Sequence, residues 1–206
     1  MRLGTGPRRT KARGRPTAAR AQKLGSEIIV DAALQLLDEG GLEALNMRGL
    51  ARRVGVQASA LYWHLGDKNE LYGLMSWRFY DQAIDNAGSS KSWEEWLRRF
   101  GLSFHGALCA HRDAAQLCSI ARPRDQDPES TGDKLAAPLV LLGLCRDQAL
   151  IRMASVISLA LGWAVYEQSE TQRDYLAHMI DIDAGFEIGL RALLGGFALN
   201  QANVAG

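Results

Sequence analysis

The stretch from Asn46 to Lys68, NMRGLARRVGVQASALYWHLGDK, constrains the fold more than any other part of this chain. Two short apolar groups flank one glycine. Leu50, Ala51 and Val54 share a face of a first helix, and Val56, Leu61 and Leu65 a face of a second. Gly55 falls at the tight reversal between them, where the absence of a Cβ has a physical use. With both apolar faces turned inward, Arg48, Gln57, Ser59, Tyr62, Trp63, His64 and Lys68 point outward together. Such a set suits the major groove of DNA, where a second helix offers side chains to base edges and its neighbours hold phosphates.

The charge distribution agrees with that reading although the total does not. The chain carries 24 Lys and Arg against 23 Asp and Glu. Residues 1–24 hold eight cations (Arg2, Arg8, Arg9, Lys11, Arg13, Arg15, Arg20 and Lys23) and no acid, leaving 16 cations against 23 acids elsewhere. A basic arm on an acidic body fits an electrostatic tether to nucleic acid. Rich in Gly, Arg, Pro and Thr, the arm is expected to be disordered in isolation. Within it, Arg13-Gly14-Arg15-Pro16 resembles the core of an AT-hook, whose arginines lie in a narrow A·T minor groove. A generic basic tail is the alternative.

Helical periodicity governs the rest. A first helix is predicted from Ser26 to Glu39, stopped by Gly40-Gly41, and a second begins after Asn46 as its N-cap. The third covers Ala58 to Leu65. Asp67 and Glu70 start a fourth helix reaching Asn86, and Ser92 and Glu95 form a capping box for a fifth. The HRD at 111–113 turns the chain into a sixth ending near Ala121. A polar loop is expected from Arg122 to Lys134. Helices follow at about 135–144, 147–168, 171–180 and 182–197. The fold class is all-α, divided into a basic arm (1–24), a helix-turn-helix unit (25–67), a connecting helix (68–86) and a ligand-binding and dimerisation domain (87–206). The apolar run Ala149–Tyr166 contains Arg152, Ser155 and Ser158, so a buried core helix is expected rather than a membrane span.

LYWH followed by GDKNELYGLM resembles the recognition helix and following helix of the tetracycline repressor (TetR) family. The likeness extends upstream through AALQLLDEGGLEALNMRGLARRVGV. It returns in SWEEWLRRFGLSFHGALCAHRD and ARP, which resemble that repressor's ligand-binding half. The resemblance implies a homodimeric repressor of transcription that binds a palindromic operator in double-stranded DNA and answers a small-molecule effector. It places Arg48 and the positions from Gln57 to His64 against DNA. Arg48 suits guanine O6 and N7. Tyr62, His64 and Lys68 suit phosphates, and Trp63 the backbone beside them. It also implies a pocket walled by Phe79, Phe100, Phe104, Leu117, Cys118, Arg122, Pro123, Trp163, Tyr166 and Glu167. Asn46, Met47, Ala58 and Ala60 depart from the family's operator-reading pattern. Ile84, Phe100 and Cys118 stand where the tetracycline anchors would be, so a more hydrophobic or aromatic effector is expected than a magnesium–tetracycline complex. For the dimer, Phe186, Leu190, Leu193, Leu194 and Phe197 form one apolar stripe, whose other reading is packing within the chain.

Other classes find less support. Cys109, Cys118 and Cys145 are expected to be reduced, buried thiols of a cytosolic protein. His105 and Cys109 stand four apart with His111 and Cys118 near them, a conceivable metal set, but soft thiolate sites are usually tighter and no metal is expected. No Ser, Cys or Asp arrangement surrounds any of the four histidines, and no phosphate-binding glycine loop occurs. Neither enzyme activity nor a cofactor is expected. No apolar run follows the first cations, so a secretory signal is not expected, and the location expected is the cytoplasm, at the nucleoid. An architectural DNA-binding protein using the arm, without an effector, is the alternative function.

Residues 26–86 hold five cations against nine acids, so the arm is expected to supply much of the non-specific attraction to phosphate. Deleting residues 1–24 is expected to flatten the dependence of DNA affinity on salt while leaving the preferred core sequence unchanged. Affinity titrations across a salt series check this, and an unaltered slope would show that the arm does not touch DNA.

Overall fold

The computed structural model describes residues 25–122 and 128–205. The arm with Arg13 and Arg15, and Pro123 of the expected pocket wall, fall outside them. Among the described residues there are ten helices and no strand, in keeping with the all-α expectation. The amino-terminal unit comprises α1 (Ser26–Ala44), α2 (Met47–Val54) and α3 (Ala58–Leu65), and α4 (Lys68–Ala87) leads out of it. The remainder is α5 (Trp93–Ala110), α6 (Ala114–Ile120), α7 (Pro128–Leu141), α8 (Arg146–Gln168), α9 (Glu170–Ala177) and α10 (Ile182–Ala205).

Local chemistry sets the boundaries. Asn46 accepts from the Gly49 N–H at 2.8 Å, Asp67 from the Glu70 N–H at 2.8 Å and Ser92 from the Glu95 N–H at 3.3 Å. Each side chain satisfies one donor that has no partner inside its helix. The Glu95 carboxylate reaches back to the Lys91 N–H rather than to that of Ser92, so the expected box closes one residue early. Gly55 adopts φ 73°, ψ 30°. The N–H groups of Gly55 and Val56 return to the carbonyls of Arg52 and Ala51, the paired bonds that end a helix on a left-handed residue.

Leu37, Leu45, Leu50, Leu61 and Leu65 are all but fully buried in the small core under α2 and α3. Each contributes roughly 1.5–3 kcal/mol by leaving water. In the body, α5 packs against α4, α8 and α10. Gly101 marks the convergence, because a Cβ there would press on Leu190 of α10 and Val156 of α8. Trp163 of α8 lies similarly against Gly185 and Gly189 of α10.

Several expectations need correction. Helix α1 breaks at Gly41 (φ 71°), as the two glycines imply, but a further turn carries it on to Ala44, and the Leu42 N–H donates to the Asp113 carboxylate at 2.9 Å. The loop expected to Lys134 is already helical from Pro128. Proline suits a first helical position, where its missing N–H costs nothing, and Glu129 complements the dipole. Helix α10 runs on to Ala205. Cys118 is buried, but Cys109 and Cys145 are exposed, being near the ends of α5 and α8.

The run Ala149–Tyr166 is buried along one face only. Ala149, Arg152, Met153, Val156, Ala160 and Ala164 face the bundle, while Ile151 is 63% exposed and Val165 47%. Helix α8 is long and apolar enough to cross a membrane, yet its buried face is taken up by its neighbours. Arg152 sits among them with its guanidinium 3.9 Å from the Trp93 ring centre, and burial lowers its pKa.

The apolar stripe on α10 also turns inward. Phe186, Leu190 and Leu194 are buried within the chain, and Leu193 and Phe197 pack against the same core. Leu190→Ala is therefore expected to lower stability by about 2–5 kcal/mol, as for a sealed core leucine. Urea unfolding checks this, and a loss of self-association with unchanged unfolding would contradict it.

Candidate nucleic-acid interface and effector core

Helix α3 buries Leu61 and Leu65 and presents its other side to solvent. Trp63 is 82% exposed and Tyr62 48%, so neither belongs to the small core. The Trp63 ring meets His64 edge-on at 5.1 Å. Arg48, Gln57 and Ser59 are exposed, with the Gln57 side chain making no cap bond to α3. Lys68, at the start of α4, holds its ammonium 5.2 Å from the centre of the Tyr72 ring.

The charges divide by position. Arg53 pairs with Glu39 at 2.6 Å and Arg78 with Asp31 at 3.2 Å, so two of the five cations of residues 26–86 are already neutralised. Among the described residues no acid pairs with Arg48, Arg52 or Lys68. The cations without an acid partner are those on or beside α2 and α3.

The HRD segment between α5 and α6 is bonded to α1. His111 Nδ1 lies 3.0 Å from the Asp38 carboxylate, which also accepts from the Arg112 N–H at 3.2 Å. Asp113, at φ 55°, accepts from the Leu42 N–H across the break in α1. A Cβ on Gly41 would collide with that carboxylate. A polar cleft of about 380 Å³, lined by Gly40, Leu42, Glu43, Arg112, Asp113 and Gln116, opens beside this contact. Opposite Asp38, the His111 ring lies 5.5 Å from that of Phe79 in α4. One histidine thus touches both the amino-terminal unit and the aromatic core.

That core holds five of the expected pocket residues together. Phe79, Phe100, Phe104, Leu117 and Cys118 are buried in it, and three ring contacts form a column. Trp96 stacks on Phe100 at 5.4 Å, Phe100 on Phe104 at 5.7 Å, and Phe104 on Tyr80 at 4.7 Å. The polar ends come from residues the sequence reading missed. Ser76 and Tyr80 are buried beside Cys118. Burial drives the Tyr80 hydroxyl far above its ordinary pKa and the Cys118 thiol up to about 11, with Ser76 opposing both shifts, so both groups stay protonated. Ser76 and Tyr80 fall on the inner side of α4 at i and i+4, a spacing that could have flagged them.

The other expected wall residues lie elsewhere. Arg122 is exposed just beyond α6, Tyr166 is 47% exposed, and Trp163 packs against α10. Glu167 meets His105 and Cys109 of α5 instead. Its carboxylate stands 3.2 Å from His105 Nε2 and 3.2 Å from Cys109 Sγ, and those two are 3.5 Å apart. Although the residue as a whole is exposed, desolvation of its sulphur, reinforced by Glu167, pushes the Cys109 thiol up to about 12. For His105 burial lowers the pKa and outweighs the opposing pull of Glu167. Next in the chain, Gln168 Nε2 donates to the carbonyls of Leu108 and His111, tying the end of α8 to the HRD segment.

Comparison with known proteins places this geometry in a family. Residues 29–75 match the model of the bacterial regulatory proteins, tetR family. The tetracycline repressor protein class D of Escherichia coli is 32% identical over 152 residues, covering 72% of this chain and 68% of that protein. Among solved structures, the Q116A variant of TetR from Acinetobacter baumannii AYE in complex with minocycline aligns with a TM-score of 0.69. It is 29% identical, over 85% of this chain and 97% of that one. BioQ with its double-stranded DNA operator aligns with a TM-score of 0.60 at 28% identity, over 86% and 99% of the two chains. With its amino-terminal helix-turn-helix and all-α body, this chain belongs to the tetR family of bacterial regulatory proteins, a DNA-binding regulator of transcription.

Proposed function

We propose that the protein is a dimeric repressor whose paired α3 helices read a palindromic operator and whose aromatic core takes a small effector that releases it. The observation that carries this is the face of α3. Trp63 and Tyr62 are exposed beside Arg48, Arg52 and Lys68, none of which pairs with an acid among the described residues, and such a face suits a polyanion. Arg48 reads a base edge, Gln57 and Ser59 add hydrogen bonds, and Tyr62, His64 and Lys68 hold phosphates with Trp63 beside them. Arg13 and Arg15 add a minor-groove or tethering contribution from the arm. One short recognition helix spans few base pairs, so two-fold repetition about one helical turn apart supplies affinity and specificity.

The surface for self-association runs along α8 and α10. Ile151, Val165 and Ile188 are exposed there, with Gly162, Gly195 and Gly196 opening onto empty space. Apolar side chains beside bare glycines allow a second pair of helices to approach closely, and a two-fold interface uses the same patch on both subunits.

The effector enters the group Phe79, Phe100, Phe104, Leu117 and Cys118, with Tyr80 and Ser76 as polar ends and Arg122, Trp163 and Tyr166 at its margins. The stacked rings require the column to part for a ligand, which favours a flat aromatic or hydrophobic molecule. Displacing Phe79 moves His111, and through Asp38 it tilts α1 and the recognition helices. A ligand acts by this route only through its different affinity for the two arrangements. Cytoplasmic action at the nucleoid follows from the same reading.

Footprinting of the DNA beside its own gene tests the proposal. It predicts a discrete protected inverted repeat, whereas an architectural protein protects no defined palindrome. Arg48→Ala is expected to weaken operator binding by about 1–3 kcal/mol and to relax one base position. Binding to a panel of operator variants decides this, and a uniform loss at every variant would reduce Arg48 to a phosphate contact.

A further inference from the structure

Three side chains of different chemistry meet at the end of α5, and the fold takes Glu167 to them and away from the aromatic core where the sequence reading puts it. His105 and Cys109 are one turn apart on α5, and Glu167 arrives from the last turn of α8. Their nitrogen, sulphur and oxygen atoms are separated by 3.2, 3.5 and 3.2 Å. Zinc bonds run about 2.0–2.2 Å to nitrogen and oxygen and about 2.3 Å to sulphur, which places tetrahedral ligand atoms about 3.3–3.6 Å apart. The three atoms therefore already outline one face of a coordination tetrahedron. From this juxtaposition we infer that His105, Cys109 and Glu167 form a binding site for a thiophilic divalent cation of the zinc class, with the fourth position open to solvent.

The ligand set is selective in kind. Imidazole and thiolate favour zinc and its softer neighbours over magnesium or calcium, which demand oxygen donors. Cys109 is exposed, which gives an ion a route from solvent. The side chains are also pre-positioned. The His105 ring is stacked on Phe186 of α10 at 3.9 Å, and Gln168 beside Glu167 is fixed by its two bonds to the α5 terminus and the HRD segment. On binding, the Cys109 proton leaves to solvent and its hydrogen bond to Glu167 is replaced by the metal. The ion would clamp α5 to α8 beside the HRD segment. Spacing on α5 alone was too sparse for a site, because the third ligand lies 58 residues further along the chain.

Cobalt(II), a spectroscopic substitute for zinc, tests the inference on the reduced full-length protein. Stoichiometric binding with a thiolate-to-cobalt charge-transfer band, bleached by added zinc, is expected. Cys109→Ser should abolish the band, and His105→Ala and the near-isosteric Glu167→Gln should each weaken zinc binding at least about 100-fold against a chromophoric chelator. Cys145→Ser should leave both readings unchanged, with circular dichroism confirming that every variant folds. No stoichiometric uptake by the native chain, a band that survives Cys109→Ser, or one that is lost with Cys145→Ser would overturn the assignment. The readouts require no DNA, so they stand or fall apart from the repressor reading.

Discussion

The arrangement of the molecule depends on one polar contact, the seating of the HRD segment on the break in α1. Gly41 interrupts the helix and leaves the Leu42 N–H without a helical acceptor, and the Asp113 carboxylate takes it from 71 residues away. A part-buried donor left unsatisfied costs about 1–3 kcal/mol, so the break and the contact stabilise each other. Asp38 adds the bonds to His111 and to the Arg112 N–H. Two turns that would be weak points alone thus become a joint of defined angle between the DNA-binding helices and the body.

In the proposed function, the joint is the route by which the body influences DNA binding. The small core under α2 and α3 is sealed by its own leucines, and among the described residues α3 packs chiefly on α2 and α4. Movement of the body reaches α3 through α4 or through α1. His111 serves both, its ring lying tilted against Phe79 of α4 and bonded to Asp38 of α1. Gln168 holds the carbonyl of the same histidine, so the corner where the proposed cation binds adjoins the joint.

What was legible in the sequence was local. Asn46, Asp67 and Ser92 announce helix starts because a capping side chain acts within three residues, and Gly55 announces the turn because only its left-handed backbone closes it. The outward set on α3 follows from the same periodicity that buries Leu61 and Leu65. Long-range partners were not legible. The stripe on α10 carries no mark that distinguishes a neighbouring helix from a second chain, and it faces α5 and α8. Glu167 reads as one polar end among aromatics until folding brings His105 and Cys109 to it. Pro128 reads as a loop residue because a proline that breaks a helix and one that begins it look alike without the following turns.

The most direct test of the joint is the operator affinity of Asp113→Ala beside the exchange rate of the Leu42 amide. The predicted result is a folded protein in which that amide loses its protection and operator affinity falls by roughly 5- to 150-fold, the range of a typical coupling between sites. Native operator affinity with the Leu42 amide still protected would contradict the account.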